Sequence, residues 1–192
     1  MNKKWFSFVV FTLLALWVCL VLYFGTRNPY VSTQQARWAY RVLKKIDQVL
    51  DFSNTPLFMK LKGGLNRLWF ANKKMPTIEL VRKSAHVGLY MVLGVITFWF
   101  ALLYSRKLII AILLGLSLPA LVASFDEYLQ QFHGRGASLN DIIIDISGAI
   151  FGVFLCLLSL AFVKFIKFLF RKTKKDSEEW RWERGEETRG ER

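Results

Sequence analysis

The chain has 192 residues, 54% of them apolar, and a formal charge of +13. So much clustered apolar sequence excludes a disordered chain, and two cysteines exclude a disulfide scaffold. The basic excess fits an anionic membrane surface, and beyond that charge nothing points to nucleic acid.

A bilayer core takes about 20 apolar residues as helix. Residues 5–24 form such a run without a charge. It is longer than the apolar part of a signal peptide, and Tyr23-Phe24-Gly25-Thr26 lacks the small residues of a cleavage site, so it reads as an uncleaved anchor. Residues 25–84 follow as a long basic loop. In it Trp38, Val42, Ile46, Val49 and Leu50 recur at helical spacing, which predicts an amphipathic helix lying on headgroups. Asn54, Thr55 and Pro56 break the pattern. Leu57, Phe58, Leu61, Leu65, Leu68 and Trp69 then make a second apolar stripe. The loop reads either as a lipid-binding platform or, preferably, as a basic connector solvated near anionic lipid.

The second span covers 85–104 and the third 108–125, with only Ser105, Arg106 and Lys107 between them, so the two form a tight antiparallel pair. Pro119 removes one backbone donor from the third span and is expected to bend it. The fourth span covers 142–170, where Lys164 and Lys167 are placed to snorkel to the headgroups. Residues 171–192 alternate basic and acidic blocks, cannot bury a core, and read as a mobile cytoplasmic tail with room for partial helix. The fold class expected is all-α: a polytopic membrane protein with four transmembrane helices and an amphipathic helical first loop, the membrane domain spanning 5–170. Lys3, Lys4, Arg106, Lys107 and the basic start of the tail share one side, which places both termini in the cytoplasm. The basic first loop opposes that orientation.

The informative residues are polar groups near the ends of apolar helices, because an ionised side chain there needs a partner. Arg82, His86 and Tyr90 are spaced by four and share a helix face, with Lys83 one turn before His86. If the third helix continues past its apolar run, Asp126 and Gln130 stack on one face beside Glu127. Asp141, Asp145, Gly148 and Gly152 form a stripe on the fourth, where the glycines allow close helix approach. The start of the second span, the end of the third and the start of the fourth must lie at the same membrane surface. Lys83, His86, Tyr90, Asp126, Glu127, Gln130, Arg135, Asp141 and Asp145 are therefore the candidate binding residues, on the outer face in this orientation. Asp145 lies about one turn inside the apolar layer, and its expected partners are Lys83, His86 or Arg135. Arg82 reads as an interface anchor. A structural salt-bridge network is the competing reading of the same cluster.

With these residues, the chain resembles the VanZ-like family of bacterial membrane proteins. The resemblance rests on Arg82-Lys83-Ser84-Ala85-His86 with Tyr90, on Asp126-Glu127 with Gln130, Phe132, Gly134 and Arg135, and on Asp141, Asp145, Gly148 and Gly152. It departs at Leu129, where the family often has His, and after Gly134-Arg135, where Ser or a similar small polar residue is usual and this chain reads Gly136-Ala137-Ser138; His133 lies one turn beyond Leu129. The resemblance implies an integral protein of the bacterial cell envelope, in a family named for a member linked to teicoplanin resistance.

Three functions compete. One is binding or remodelling of an envelope lipid or lipid-linked cell-wall precursor, affecting glycopeptide susceptibility. Another is a membrane-embedded hydrolase or transferase acting on a lipid-linked phosphate, with His86, Asp126 and Glu127 as acid and base, or joined by Asp145 around a divalent ion. The third is a structural role in the envelope. No Cys or His pair is spaced for zinc, so no metal or cofactor is assigned.

Overall fold

The computed structural model describes residues 3–51, 53–70, 77–132 and 138–190, and among them every element is a helix. In chain order these are α1 (Lys3–Gly25), α2 (Pro29–Leu50), α3 (Pro56–Phe70), α4 (Thr77–Ser105), α5 (Leu108–Gln131) and α6 (Leu139–Gly190). Four stretches are long and apolar enough to cross a membrane: Ser7–Gly25, Thr77–Ser105, Leu108–Gln131 and Leu139–Phe168. The chain divides into two compact units. Met1–Val153 holds α1 to α5 and the opening of α6, and Phe154–Arg192 holds the remainder of α6.

Local chemistry sets the helix ends in the first loop. Asn28 Oδ1 accepts a hydrogen bond from the Tyr30 amide at 3.0 Å, and Pro29 supplies a preset first residue. At the other end of α2, Asp51 turns left-handed at φ 44°, and Asp47 Oδ1 takes up the Ser53 amide at 2.8 Å. Thr55 Oγ1 then accepts from the Phe58 amide at 3.3 Å and opens α3 just before Pro56. The expected break is therefore a helix stop followed by a helix start. Ser32 and Ala36 are buried on α2, which packs on α4. The stripe of Trp38, Val42, Ile46, Val49 and Leu50 is exposed. On α3, the side chains of Leu61, Leu65, Leu68 and Trp69 lie outside the described residues.

Between α1, α4 and α5 lies a core of Leu14, Val21, Tyr90, Leu93, Val122 and Ala123. Trp17 Nε1 donates to the Leu89 carbonyl at 3.0 Å and ties α1 to α4. The helix α5 continues through Pro119, which is buried. Small residues bring α6 against α4. A Cβ on Gly148 or Gly152 would run into the Val87 or Met91 carbonyl, and one on Gly94 would lie 2.8 Å from the Ala149 carbonyl. The glycine stripe is thus a packing stripe. Outward-facing Leu113, Leu121, Ile150 and Phe151 remain exposed, an apolar surface of the kind a bilayer covers.

The charged tail is helical as far as Gly190, where α6 ends. Its Lys, Arg and Glu residues are good helix formers and no proline interrupts them.

Candidate functional site

The site lies where the start of α4, the end of α5 and the start of α6 meet. Each helix extends beyond its apolar run, which places charged residues on regular backbone rather than on loops. On α4, Lys83, His86 and Tyr90 follow the three- and four-residue spacing of one face. On α5, the helix continues to Gln131, so Asp126 and Gln130 stack, and Gln130 Nε2 donates to Asp126 Oδ2 at 2.9 Å. On α6, Asp141 stands in the first turn and Asp145 one turn further on.

Connections between the helices are made by charge. Lys83 Nζ donates to Asp141 Oδ1 at 2.5 Å, joining α4 to α6. His86 Nδ1 lies 3.9 Å from Asp145 Oδ1, a second link between the same helices. Glu127 Oε1 accepts the Ser138 amide at 2.6 Å, so the end of α5 satisfies a backbone donor at the entry to α6. Arg82 pairs with Glu79 at 2.5 Å on the partly exposed side of α4, in keeping with an interface anchor, although it also lines the recess described below.

Lys83, Tyr90, Asp126, Glu127, Gln130 and Asp145 are all buried. The Tyr90 side chain is wholly inaccessible, and its hydroxyl has no hydrogen-bond partner among the described residues. Asp126, Asp145 and Glu127 lie within its electrostatic reach. A narrow recess opens among these groups, lined by Arg82, Lys83, His86, Glu127, Gln130, Asp141, Ile144 and Asp145. Its volume is about 10 Å³, room for one water or one ion.

Eight of the nine sequence candidates thus come together: Lys83, His86, Tyr90, Asp126, Glu127, Gln130, Asp141 and Asp145. Arg135 lies outside the described residues, as does His133. Of the three partners expected for Asp145, His86 faces it at 3.9 Å, and Lys83, which donates to Asp141, also lies within its electrostatic reach.

Two contributors carry no signal in their own sequence neighbourhoods. Ile144 packs with Leu80 and Val87 beneath the recess. Gly25, at the end of α1, lies against Asp126 so closely that a Cβ there would overlap the carboxylate. Up-and-down threading does supply a clue to Gly25, because α1 ends at the surface where α4 begins.

Chemically, the cluster sets four carboxylates (Asp126, Glu127, Asp141 and Asp145) against Lys83 and the titratable His86. It can hold a cation, accept hydrogen bonds from hydroxyl or amine groups, and move a proton through His86.

No curated protein and no solved structure matches the chain. A model of the VanZ/LLP1 family matches residues 8–163, a stretch that contains the four membrane-length helices up to the fourth's later turns and every residue of the recess. Four apolar helices with polar groups gathered at one end are accordingly the features of a multi-pass member, and the chain belongs to the VanZ/LLP1 family.

Proposed function

We propose that this protein binds the polar headgroup of an envelope lipid or lipid-linked cell-wall precursor at the recess between α4, α5 and α6. One observation carries the reading: buried Lys83, Glu127 and Asp145 converge on an opening at the ends of membrane-length helices. Replacing a buried ionic network with apolar packing is often neutral or stabilising, so stability alone gives little reason to assemble one. Ionisable groups inside a membrane domain are the usual marks of ligand or ion sites.

The small volume of the recess sets how a headgroup binds. Only an ion or the tip of a polar group enters, and the rest lies across the mouth beside Arg82. The excess of carboxylates favours hydroxyl and amine donors in that headgroup. Both termini face the cytoplasm and the recess faces outward, where the wall precursor is displayed. Engagement of that precursor alters susceptibility to glycopeptides such as teicoplanin. The exposed apolar stripe of α2 rests on the lipid surface beside the site, with its basic residues near anionic headgroups.

A membrane-embedded hydrolase is the second reading, favoured by the 3.9 Å approach of His86 to Asp145 beside a third acid, Asp126. Lipids retained by the purified protein separate the two. Mass spectrometry of wild type and of Glu127→Gln and Asp145→Asn, at matched membrane abundance, should show one polar lipid enriched in wild type and depleted at least fivefold in the variants. Conversion of that lipid on incubation selects the enzyme. Identical lipid profiles in all three proteins, with equal complementation of a deletion strain on glycopeptide plates, reject headgroup binding at this recess.

A further inference from the structure

The three helices bring together an imidazole and two carboxylates, one from each. Donor atoms of His86 on α4, Asp126 on α5 and Asp145 on α6 all lie within 4.8 Å of one another. A first-row divalent ion with ligands at about 2.1 Å holds neighbouring donors roughly 3–3.5 Å apart. The 3.9 Å between His86 Nδ1 and Asp145 Oδ1 closes to that by a small side-chain rotation. Asp126 and Asp145 are only 1% and 4% exposed, so the mutual repulsion of their charges is poorly screened by water.

A second, independent observation concerns Tyr90. It stands one helical turn from His86, has 0% exposure, and carries its hydroxyl into the field of Asp126 and Asp145 without a hydrogen-bond partner among the described residues. Buried hydroxyls ordinarily find partners. An ion-bound water, or a carboxylate oxygen drawn toward an ion, would accept from it. His86 and Asp145 also line the recess of about 10 Å³, which adjoins the cluster.

We propose that His86, Asp126 and Asp145 ligate a single divalent first-row cation, Mn²⁺ or Zn²⁺, with Tyr90 as the hydrogen-bonding group behind it. An imidazole nitrogen with two carboxylate oxygens suits these ions. Ca²⁺ takes about six to eight oxygens, and Mg²⁺ is usually held by one or two carboxylates with waters. The sequence does not announce the site because its ligands are drawn from three helices instead of one spaced motif. Coordination positions left open toward the recess would accept a phosphate oxygen. That last step rests on the headgroup reading, whereas the metal site does not.

The test uses the full chain in a phosphate-free, uncharged detergent, stripped with a chelator and titrated with Mn²⁺ and with Zn²⁺. Wild type should take up one ion per chain, with a rise in unfolding temperature of several degrees. Asp145→Asn and His86→Gln should each weaken uptake at least tenfold, while Glu79→Gln, on the partly exposed side of α4, should leave it unchanged. Tyr90→Phe should retain one ion with lower affinity. Should the ligand variants not fold, the Mn²⁺ resonance spectrum of wild type decides: coupling to one histidine nitrogen supports the site, and its absence overturns it. No uptake at millimolar metal, or uptake equal in wild type, Asp145→Asn and His86→Gln, also overturns it. Because no lipid phosphate is present, failure here leaves the lipid profiles to judge headgroup binding separately.

Discussion

Asp126 is held on two sides. Gln130 donates to it from one turn further along α5, and the backbone of Gly25 presses on it from α1. With 1% exposure it has little room to give way. Gly25→Ala should therefore cost about 1–3 kcal/mol through overpacking, read as a lower unfolding temperature in detergent. Gly88 is a fitting control, since a Cβ there meets nothing within 4 Å. Gly88→Ala should be neutral or should stabilise α4 by up to about 1 kcal/mol through helix propensity. Equal loss in both variants would remove the claim that Gly25 buttresses the site. At this scale the sequence was legible for residues that repeat along one helix, such as His86 with Tyr90 and Asp141 with Asp145. It was not legible for contacts whose partner is remote. Nothing beside Gly25 distinguishes it from an ordinary residue at a helix end. Likewise, the direct hydrogen bond of Lys83 to Asp141 depends on how far α6 slides along α4, and the glycine stripe fixes that only in three dimensions.

Among the elements, α1 shows why an apolar run alone underdetermines packing. Its sequence announces a span, yet almost any face could turn inward. The selection is made by Leu14, Val21 and Trp17, the last donating its indole N–H to the Leu89 carbonyl at 3.0 Å. In an apolar setting water cannot replace that bond. Trp17→Phe keeps most of the ring and removes the donor, so it should cost about 1 kcal/mol. Trp5→Phe, at a position 61% exposed, should cost nothing measurable in the same thermal scan. The break at Asn54, Thr55 and Pro56 was more legible, because it is a local signal that needs no tertiary partner. The tail was less so. Its composition excludes a core, but exclusion of a core does not exclude helix, and α6 continues through residues with strong helical propensity.

For the molecule as a whole, the odd and even spans must place the beginnings of α4 and α6 at one membrane surface and the α4–α5 turn at the other. That turn carries Arg106 at φ 57° and Lys107, and short basic loops favour the cytoplasmic side. Single cysteines test both statements in a background with Cys19 and Cys156 replaced by Ser. Ser84 and Leu139 are exposed near the recess, and Tyr104 and Lys107 are exposed at the opposite turn. In intact cells, a membrane-impermeant maleimide should label Ser84→Cys and Leu139→Cys, and should reach Tyr104→Cys and Lys107→Cys only after permeabilisation. The reversed pattern would keep the recess but turn it inward, removing access to a precursor displayed outside. Labelling of Ser84→Cys and Leu139→Cys from different sides would separate Lys83 from Asp141 and dissolve the site itself. The basic loop of residues 25–84 gives the experiment its force, because its charge pulls toward the cytoplasm while the short loops pull the other way. An outward recess requires that long loop to cross despite its lysines and arginines, which the charge rule allows for long segments and forbids for short ones.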